Sequence, residues 1–195
     1  MNTTKLKMLA LAGLVISGAA QAEAMVRVRA IDILPDAKSS PVTGVDVSNK
    51  IAPDVDLNWF FTKNLAVELL LSIPQEHKVT LNGASLGKVS HLPPALLLQY
   101  HYPVGETFRP YVGAGLNYTL FTDRKLDGGL KLETGSFGPA IQAGMDVALQ
   151  GNWYFNVDVK KIWIDSDVTD GTGAFVTHVE INPLIVGAGI GYAFR

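Results

Sequence analysis

Residues Ile51 to Phe61 alternate without a break. Ile51, Pro53, Val55, Leu57, Trp59 and Phe61 fall on one face of an extended chain, and Ala52, Asp54, Asp56, Asn58 and Phe60 on the other. A period of two is that of a strand, and about ten tilted residues are enough to cross the hydrocarbon of a bilayer if the apolar face meets lipid. That arrangement inverts a water-soluble core. The same alternation recurs down the chain and predicts an all-β fold: an eight-stranded, up-and-down antiparallel transmembrane β-barrel whose inside is the more polar side.

Composition agrees with a membrane setting and removes the helical alternative. The 195 residues are 48% hydrophobic and 17% charged, which is apolar for a soluble domain of this size. Beyond the N-terminus no stretch reaches the roughly 18 apolar residues that a spanning helix needs. In lipid every backbone N–H and C=O must be paired, and a closed sheet is the other structure that pairs them all. Lys5 and Lys7 before the apolar run Met8 to Ile16, then Ala20-Gln21-Ala22, form the pattern of a cleaved export signal. This predicts a signal peptide over 1–22 and a barrel domain over 23–195. Loss of the two lysines leaves 14 basic against 18 acidic residues, a formal charge of −4, which argues against nucleic acid as a partner. Without cysteine there is neither a disulfide framework nor a residue for lipoprotein acylation, so retention in a membrane rests on the fold.

Eight strands are expected near Met25 to Leu34, Ile51 to Phe61, Leu65 to Ile73, Leu92 to Tyr102, Arg109 to Phe121, Ser136 to Leu149, Trp153 to Ile164 and Thr177 to Phe194. Links at Thr62-Lys63-Asn64, Val104 to Thr107 and Gln150-Gly151-Asn152 are tight. Those at Pro35 to Lys50, Pro74 to His91, Thr122 to Gly135 and Asp165 to Val176 are long, polar and glycine-containing. With the N-terminus periplasmic, the short turns lie on the periplasmic side and the long loops outside.

Alternation then assigns faces. Lipid meets rows such as Val26, Val28, Ala30; Leu65, Val67, Leu69, Leu71; Leu96, Leu98, Tyr100; and Val186, Ala188, Ile190, Tyr192, Phe194. The opposite rows hold Arg27, Arg29, Asp54, Asp56, Glu68, Gln99, His101, Asn117, Gln142, Asp146, Asn156, Asp158 and Lys160. Since both signs occur, ion pairs among Arg27, Arg29, Asp54, Asp56, Glu68, Asp158 and Lys160 are expected to plug the lower lumen. Two aromatic belts are expected: one near the tight links, including Trp59, Tyr100, Tyr111, Trp153 and Phe194, and one near the outer ends, at Tyr118, Phe121, Phe137 and Trp163. The run Gly187-Ala188-Gly189-Ile190-Gly191 is not a dinucleotide fingerprint, because no helix follows it.

These residues also carry a family resemblance. His91-Leu92-Pro93-Pro94-Ala95-Leu96-Leu97-Leu98-Gln99-Tyr100, followed by Phe108-Arg109-Pro110-Tyr111-Val112-Gly113-Ala114-Gly115-Leu116-Asn117-Tyr118-Thr119, closely resembles the outer membrane protein W (OmpW) family. Asn64 to Leu70 is similar to that family's third strand, Val26 to Ala30 to its first, and Gly191-Tyr192-Ala193-Phe194 to its last. The chain departs from the pattern in carrying Arg195 after the terminal aromatic residue. The resemblance implies an eight-stranded barrel with a hydrophobic channel in its extracellular half, associated with passage of small apolar molecules.

In the upper half the inward positions Ile33, Leu70, Ser72, Ala95, Leu97, Ile162 and Ile164 are distinctly more apolar than those below. Apolar solutes would gain about 25 cal/mol per Å² of surface removed from water there. The expectation is a half-channel. An apolar solute enters from outside, meets the ion-paired floor, and leaves sideways where Pro53, Pro93, Pro94, Pro139 and Pro183 weaken the strand ladder. The bland alternative is a barrel simply filled by side chains, and a third reading is a closed barrel displaying loops to phage, bacteriocins or host surfaces. Expected partners are outer membrane lipid and lipopolysaccharide, small apolar solutes and the barrel assembly machinery, with the protein a monomer. No cofactor or metal is expected. Asp165, Asp167 and Asp170 before Gly171 match a calcium loop incompletely, and His77, His91, His101 and His178 show no metal spacing. Ser72, Glu68 and His101 invite a hydrolase reading, but they belong to opposite ends of the barrel, so no enzyme is expected.

Overall fold

The computed structural model describes residues 23–194 apart from 124 and 125, and the side chains of Ser72 and Asp123 lie outside the description. The expected signal peptide and Arg195 lie outside the described residues as well. Fifteen strands follow in order: β1 (Glu23–Leu34), β2 (Lys38–Ser40), β3 (Val45–Val47), β4 (Lys50–Phe60), β5 (Leu65–Ser72), β6 (Gln75–Leu81), β7 (Ala84–Leu92), β8 (Ala95–His101), β9 (Phe108–Asp123), β10 (Lys131–Leu132), β11 (Gly135–Ala148), β12 (Trp153–Ile162), β13 (Asp165–Thr169), β14 (Phe175–Glu180) and β15 (Leu184–Phe194).

Eight of them close a ring in the order β1-β4-β5-β8-β9-β11-β12-β15, with β15 returning to β1 and every neighbour antiparallel. Closure leaves no sheet edge in the membrane. The facing is inverted as the alternation requires: Leu96 on the outer wall is 56% exposed, whereas Arg27 inside is 0% exposed. On β9 the outward row from Phe108 to Tyr118 spans about 33 Å along the strand, or about 25 Å of height at the tilt of such barrels, which matches a hydrocarbon core. Trp153, Tyr192 and Phe194 meet edge to face at the periplasmic rim, at centroid separations of 5.0 and 4.9 Å.

The periplasmic turns are tight for local reasons. Thr62 Oγ1 accepts from the amides of Asn64 and Leu65, closing the β4–β5 turn. Gly151, at φ +68°, lets Leu149 N reach Trp153 O at 2.9 Å.

The outer links differ from expectation, because they fold into sheet rather than polar loop. An Asn82-Gly83 turn, at φ +50° and +83°, joins β6 to β7, a hairpin signal that the charges at Glu76 and Lys78 obscure. β7 lengthens the top of β9 while β3 adds to β6, and a separate sheet runs β10-β13-β14-β2. Two expected strands are therefore split. Pro93 and Pro94 divide β7 from β8, and the segment ending at Pro183 divides β14 from β15, since proline offers no amide to a ladder. Tyr111 and Phe121, which the aromatic pattern assigns to the membrane interfaces, turn inward and are 3% and 4% exposed.

Candidate functional site

The inward side chains stack in three layers, and single strands show the order. On β1 the inward row reads Met25, then Arg27 and Arg29, then Ile31 and Ile33; on β5 it reads Ala66, Glu68, Leu70. On β12 and its extension it reads Tyr154, then Asn156, Asp158 and Lys160, then Ile162 and Ile164. The lowest layer, Met25, Phe60, Ala66, Tyr154 and Ala193, is an apolar cap that the sequence expectation of a charged lower lumen omits. Its signal was present in the same rows, two positions toward the periplasm.

The middle layer is an ion-paired network. Arg27 Nε donates to Asp146 Oδ1 at 3.0 Å and Nη2 to Oδ2 at 2.7 Å, a forked pair, while Nη1 reaches Asp56 at 3.3 Å and Glu68 at 3.4 Å. Arg29 holds Asp54 and Asp56, both at 2.7 Å, and approaches Asp158 at 3.6 Å. Lys160 joins Glu68 at 2.9 Å and Asp158 at 3.3 Å and donates to Gln142, and Asn58 donates to Asp56. All seven residues expected to form the plug thus lie in one connected network. Asp146, Asn156 and Gln142, inward in the sequence reading but not singled out, complete it. So does Tyr111, whose hydroxyl donates to Asp158 at 2.9 Å and accepts from Asn156 at 3.1 Å. Tyr111 fits because its neighbour across the ladder is Gly144, where any Cβ would overlap the phenol ring. Among the described residues the layer buries three cations, Arg27, Arg29 and Lys160, against five carboxylates, Asp54, Asp56, Glu68, Asp146 and Asp158. Arg27, Asp56, Glu68 and Asp146 are all 0% exposed, so the centre of the layer is sealed from bulk solvent.

Above it the lumen becomes largely apolar, interrupted on β9 by the buried Asn117 and Thr119, which bond each other. Ile33, Leu70, Ala95, Leu97, Ile162 and Ile164 are each at most 2% exposed and belong to one cluster that continues through Val79, Val89, Val168 and Ile181 into the extracellular sheets. The side chain of Ser72 lies outside the described residues. At the top of the column is a cavity of about 70 Å³, walled by residues such as Val47, Val79, Leu126 and Ile181 and by the rings of His77 and His91. The rings stack at 4.7 Å and 14°, with Phe121 set edgewise at 6.4 Å from His91. Burial lowers the pKa of both imidazoles, that of His91 to about 3, which keeps them neutral at ordinary pH. Both histidines fall in the link expected over Pro74 to His91, although Gln75, His77 and Val79 alternate with charge as strictly as the barrel strands do.

The wall beside the column is not uniform. The β5–β8 ladder ends at Leu70↔Ala95, while β5 runs on to Ser72 paired to β4 alone. Facing Leu71 and Ser72 the chain passes through Pro93 and Pro94, which have no amide to donate. The other proline positions are closed. Pro53 sits within the β1–β4 ladder, Pro183 O accepts from Ile162 N at 3.2 Å, and Pro139 O accepts from Trp163 N at 3.1 Å. At Pro139 the Asn117 amide adds bonds to Gly138 O at 2.9 Å and Trp163 O at 3.0 Å.

The remaining sequence candidates have structural employment. Asp165 bonds Ser136, Asp167 bonds His178 at 2.6 Å, and Asp170 Oδ1 accepts from Thr172 and Ala174, so the three acids do not converge. Among the described residues no cluster with metal-binding composition occurs. Glu68 and His101 are buried in or below the ionic layer, and Ser72 lies one strand-half above Glu68, about 13 Å along β5.

Comparison with known proteins gives a consistent picture. Residues 19–194 match the model of the OmpW family. The outer membrane protein W of Vibrio cholerae serotype O1 is 34% identical over 191 residues, covering 87% of this chain and 88% of the relative. The dibenzothiophene metabolism operon protein PahQ of Pseudomonas aeruginosa is 29% identical over 162 residues, covering 79% of this chain and 76% of PahQ. The crystal structure of the outer membrane protein OprG from Pseudomonas aeruginosa superposes with a TM-score of 0.73 at 29% identity, covering 91% of this chain and 98% of OprG.

Proposed function

The chain belongs to the OmpW family of outer membrane barrels, and from that footing we propose that it takes up small hydrophobic molecules through an extracellular half-channel and releases them sideways into the bilayer. The observation that carries this reading is the abrupt change from the apolar column to the ion-paired layer, with the unpaired stretch of wall between β5 and β8 beside the column. A solute that has left water along the column cannot continue downward without stripping Arg27, Arg29 or Lys160 from its carboxylates, which costs several kcal/mol per ion. Sideways lies hydrocarbon, and no desolvation opposes that step. Ile33, Leu70, Ala95, Leu97, Ile162 and Ile164 are the path, and Arg27, Arg29, Asp54, Asp56, Glu68, Asp158 and Lys160 are the stop. The name of PahQ, which ties that relative to dibenzothiophene metabolism, supports an apolar cargo. The proposed partners are lipid and lipopolysaccharide around the wall, the apolar solute within, and the barrel assembly machinery during insertion of a monomer.

The test is uptake of a labelled alkane or terpene by cells with and without the protein; equal rates remove the proposal. A second reading, a closed barrel that presents its surface to phage, bacteriocins or host cells, draws on the sheet β10-β13-β14-β2 standing on the outer end. Replacing the exposed hairpin tip Gly171 to Ala174, which lies outside the apolar column, with a glycine-serine linker separates the two, because a display role is weakened while solute uptake persists.

A further inference from the structure

We propose that the extracellular cavity selects, among small apolar solutes, those carrying one hydrogen-bond donor, such as phenols and alkanols, and that the Nε2 lone pair of His77 receives that donor. The inference rests on the uptake reading above and narrows its substrate class.

The tautomer of His77 is fixed by its surroundings. Nδ1 lies 2.7 Å from the Ser48 carbonyl oxygen, which can only accept, so Nδ1 carries the proton and Nε2 is left with a bare lone pair. His77 is 1% exposed and its Nε2 has no partner. An acceptor left unpaired in an apolar site is costly, and the cost is relieved by any group that brings it a donor. No neighbouring residue of the wall does so: Thr177 gives its hydroxyl to the carbonyl oxygens of Val42 and His178, the wall is otherwise built from apolar residues such as Val47, Val79, Leu126 and Ile181, and the stacked His91 presents its face. In this closed state Nε2 is covered. The cavity, about 70 Å³, is smaller than the roughly 150 Å³ that receives a benzene ring, so an aromatic solute enters only as the wall around His77 yields to it. A donor-free hydrocarbon gains only the apolar contact, whereas a hydroxylated one of equal size also satisfies Nε2. Neutral burial of the ring, already noted, keeps it an acceptor.

The experiment compares p-cresol with p-xylene, which differ by hydroxyl against methyl. The full-length barrel is reconstituted into dimyristoyl phosphatidylcholine vesicles, and for each solute the rate of entry is divided by that in protein-free vesicles. The native protein is expected to accelerate p-cresol about 3- to 10-fold more than p-xylene, the worth of one neutral hydrogen bond. His77→Phe, which keeps an aromatic ring against His91, is expected to bring the ratio of p-cresol to p-xylene acceleration to about 1. Equal acceleration of both solutes by the native protein, or a preference that survives His77→Phe in a folded barrel, overturns the selection claim and leaves uptake standing. Acceleration of neither solute removes the uptake reading itself. Should His77→Phe fail to give the heat-modifiable band of a folded barrel, the native protein alone decides, through 4-methylanisole, whose methylated oxygen has no donor. Parity of 4-methylanisole with p-cresol contradicts the claim.

Discussion

Removal of Arg27 is the sharpest perturbation of the ionic layer. Its guanidinium forks onto Asp146 at 3.0 and 2.7 Å, contacts Asp56 at 3.3 Å and Glu68 at 3.4 Å, and lies 5.0 Å from the centre of the Tyr111 ring. At 2.7 Å and an effective dielectric of about 20, one unit-charge pair is worth about 6 kcal/mol before desolvation, which cancels much of it. Taking away one member of a buried pair leaves the other charge uncompensated, at a cost of about 3–5 kcal/mol. Arg27→Met is expected near the top of that range, because three carboxylates lose a partner at once. The second substitution Asp146→Leu removes the carboxylate most directly stranded. It restores the native imbalance, with Arg29 and Lys160 facing Asp54, Asp56, Glu68 and Asp158. The double variant should therefore recover about 2 kcal/mol or more relative to the single one. The assay is reversible urea unfolding in lipid vesicles followed by tryptophan fluorescence. A loss below about 1 kcal/mol for Arg27→Met, or a double variant no more stable than the single one, refutes the reasoning that these charges are mutually compensated in a buried layer.

Gly144→Ala places a methyl on the Tyr111 ring and should destabilise the barrel by about 1–3 kcal/mol through overpacking, read from the same unfolding curves. The half-buried His178, held by Asp167 at 2.6 Å, has its pKa raised above 6.5. The pairing contribution is complete below 6.5 and is lost as pH rises through the folded value, and an NMR titration should show His178 returning toward 6.5 in Asp167→Asn. Because the chain has no native cysteine, Leu71→Cys with Pro94→Cys introduces one pair across the unpaired wall. Its oxidation should suppress solute uptake and reduction should restore it.

The barrel itself was legible because lipid and lumen impose opposite demands on successive residues, so the facing of Ile51 to Phe61 or Ala95 to His101 could be read without a partner strand. The ionic layer was legible for the same reason. What alternation does not encode is what lies across the lumen, and so the pairing of Arg27 with Asp146, 119 positions away, emerges only from the closed ring. Tyr111 misled because an aromatic residue near a turn suits an interface belt equally well, and the space that draws it inward is made by Gly144 on another strand. In the extracellular extension, charges at Glu76, Lys78 and Lys88 face water between buried Gln75, His77, Val79 and Val89, a soluble-type alternation that read as loop.

The central claim is a path for apolar molecules that is closed to ions. It is tested most directly by measuring, in one preparation of vesicles bearing the native protein, entry of p-xylene and leakage of potassium. The apolar column above a buried ionic layer predicts accelerated p-xylene entry with potassium leakage no greater than in protein-free vesicles. Potassium leakage that rises together with solute entry would contradict it, since both would then share a continuous aqueous lumen.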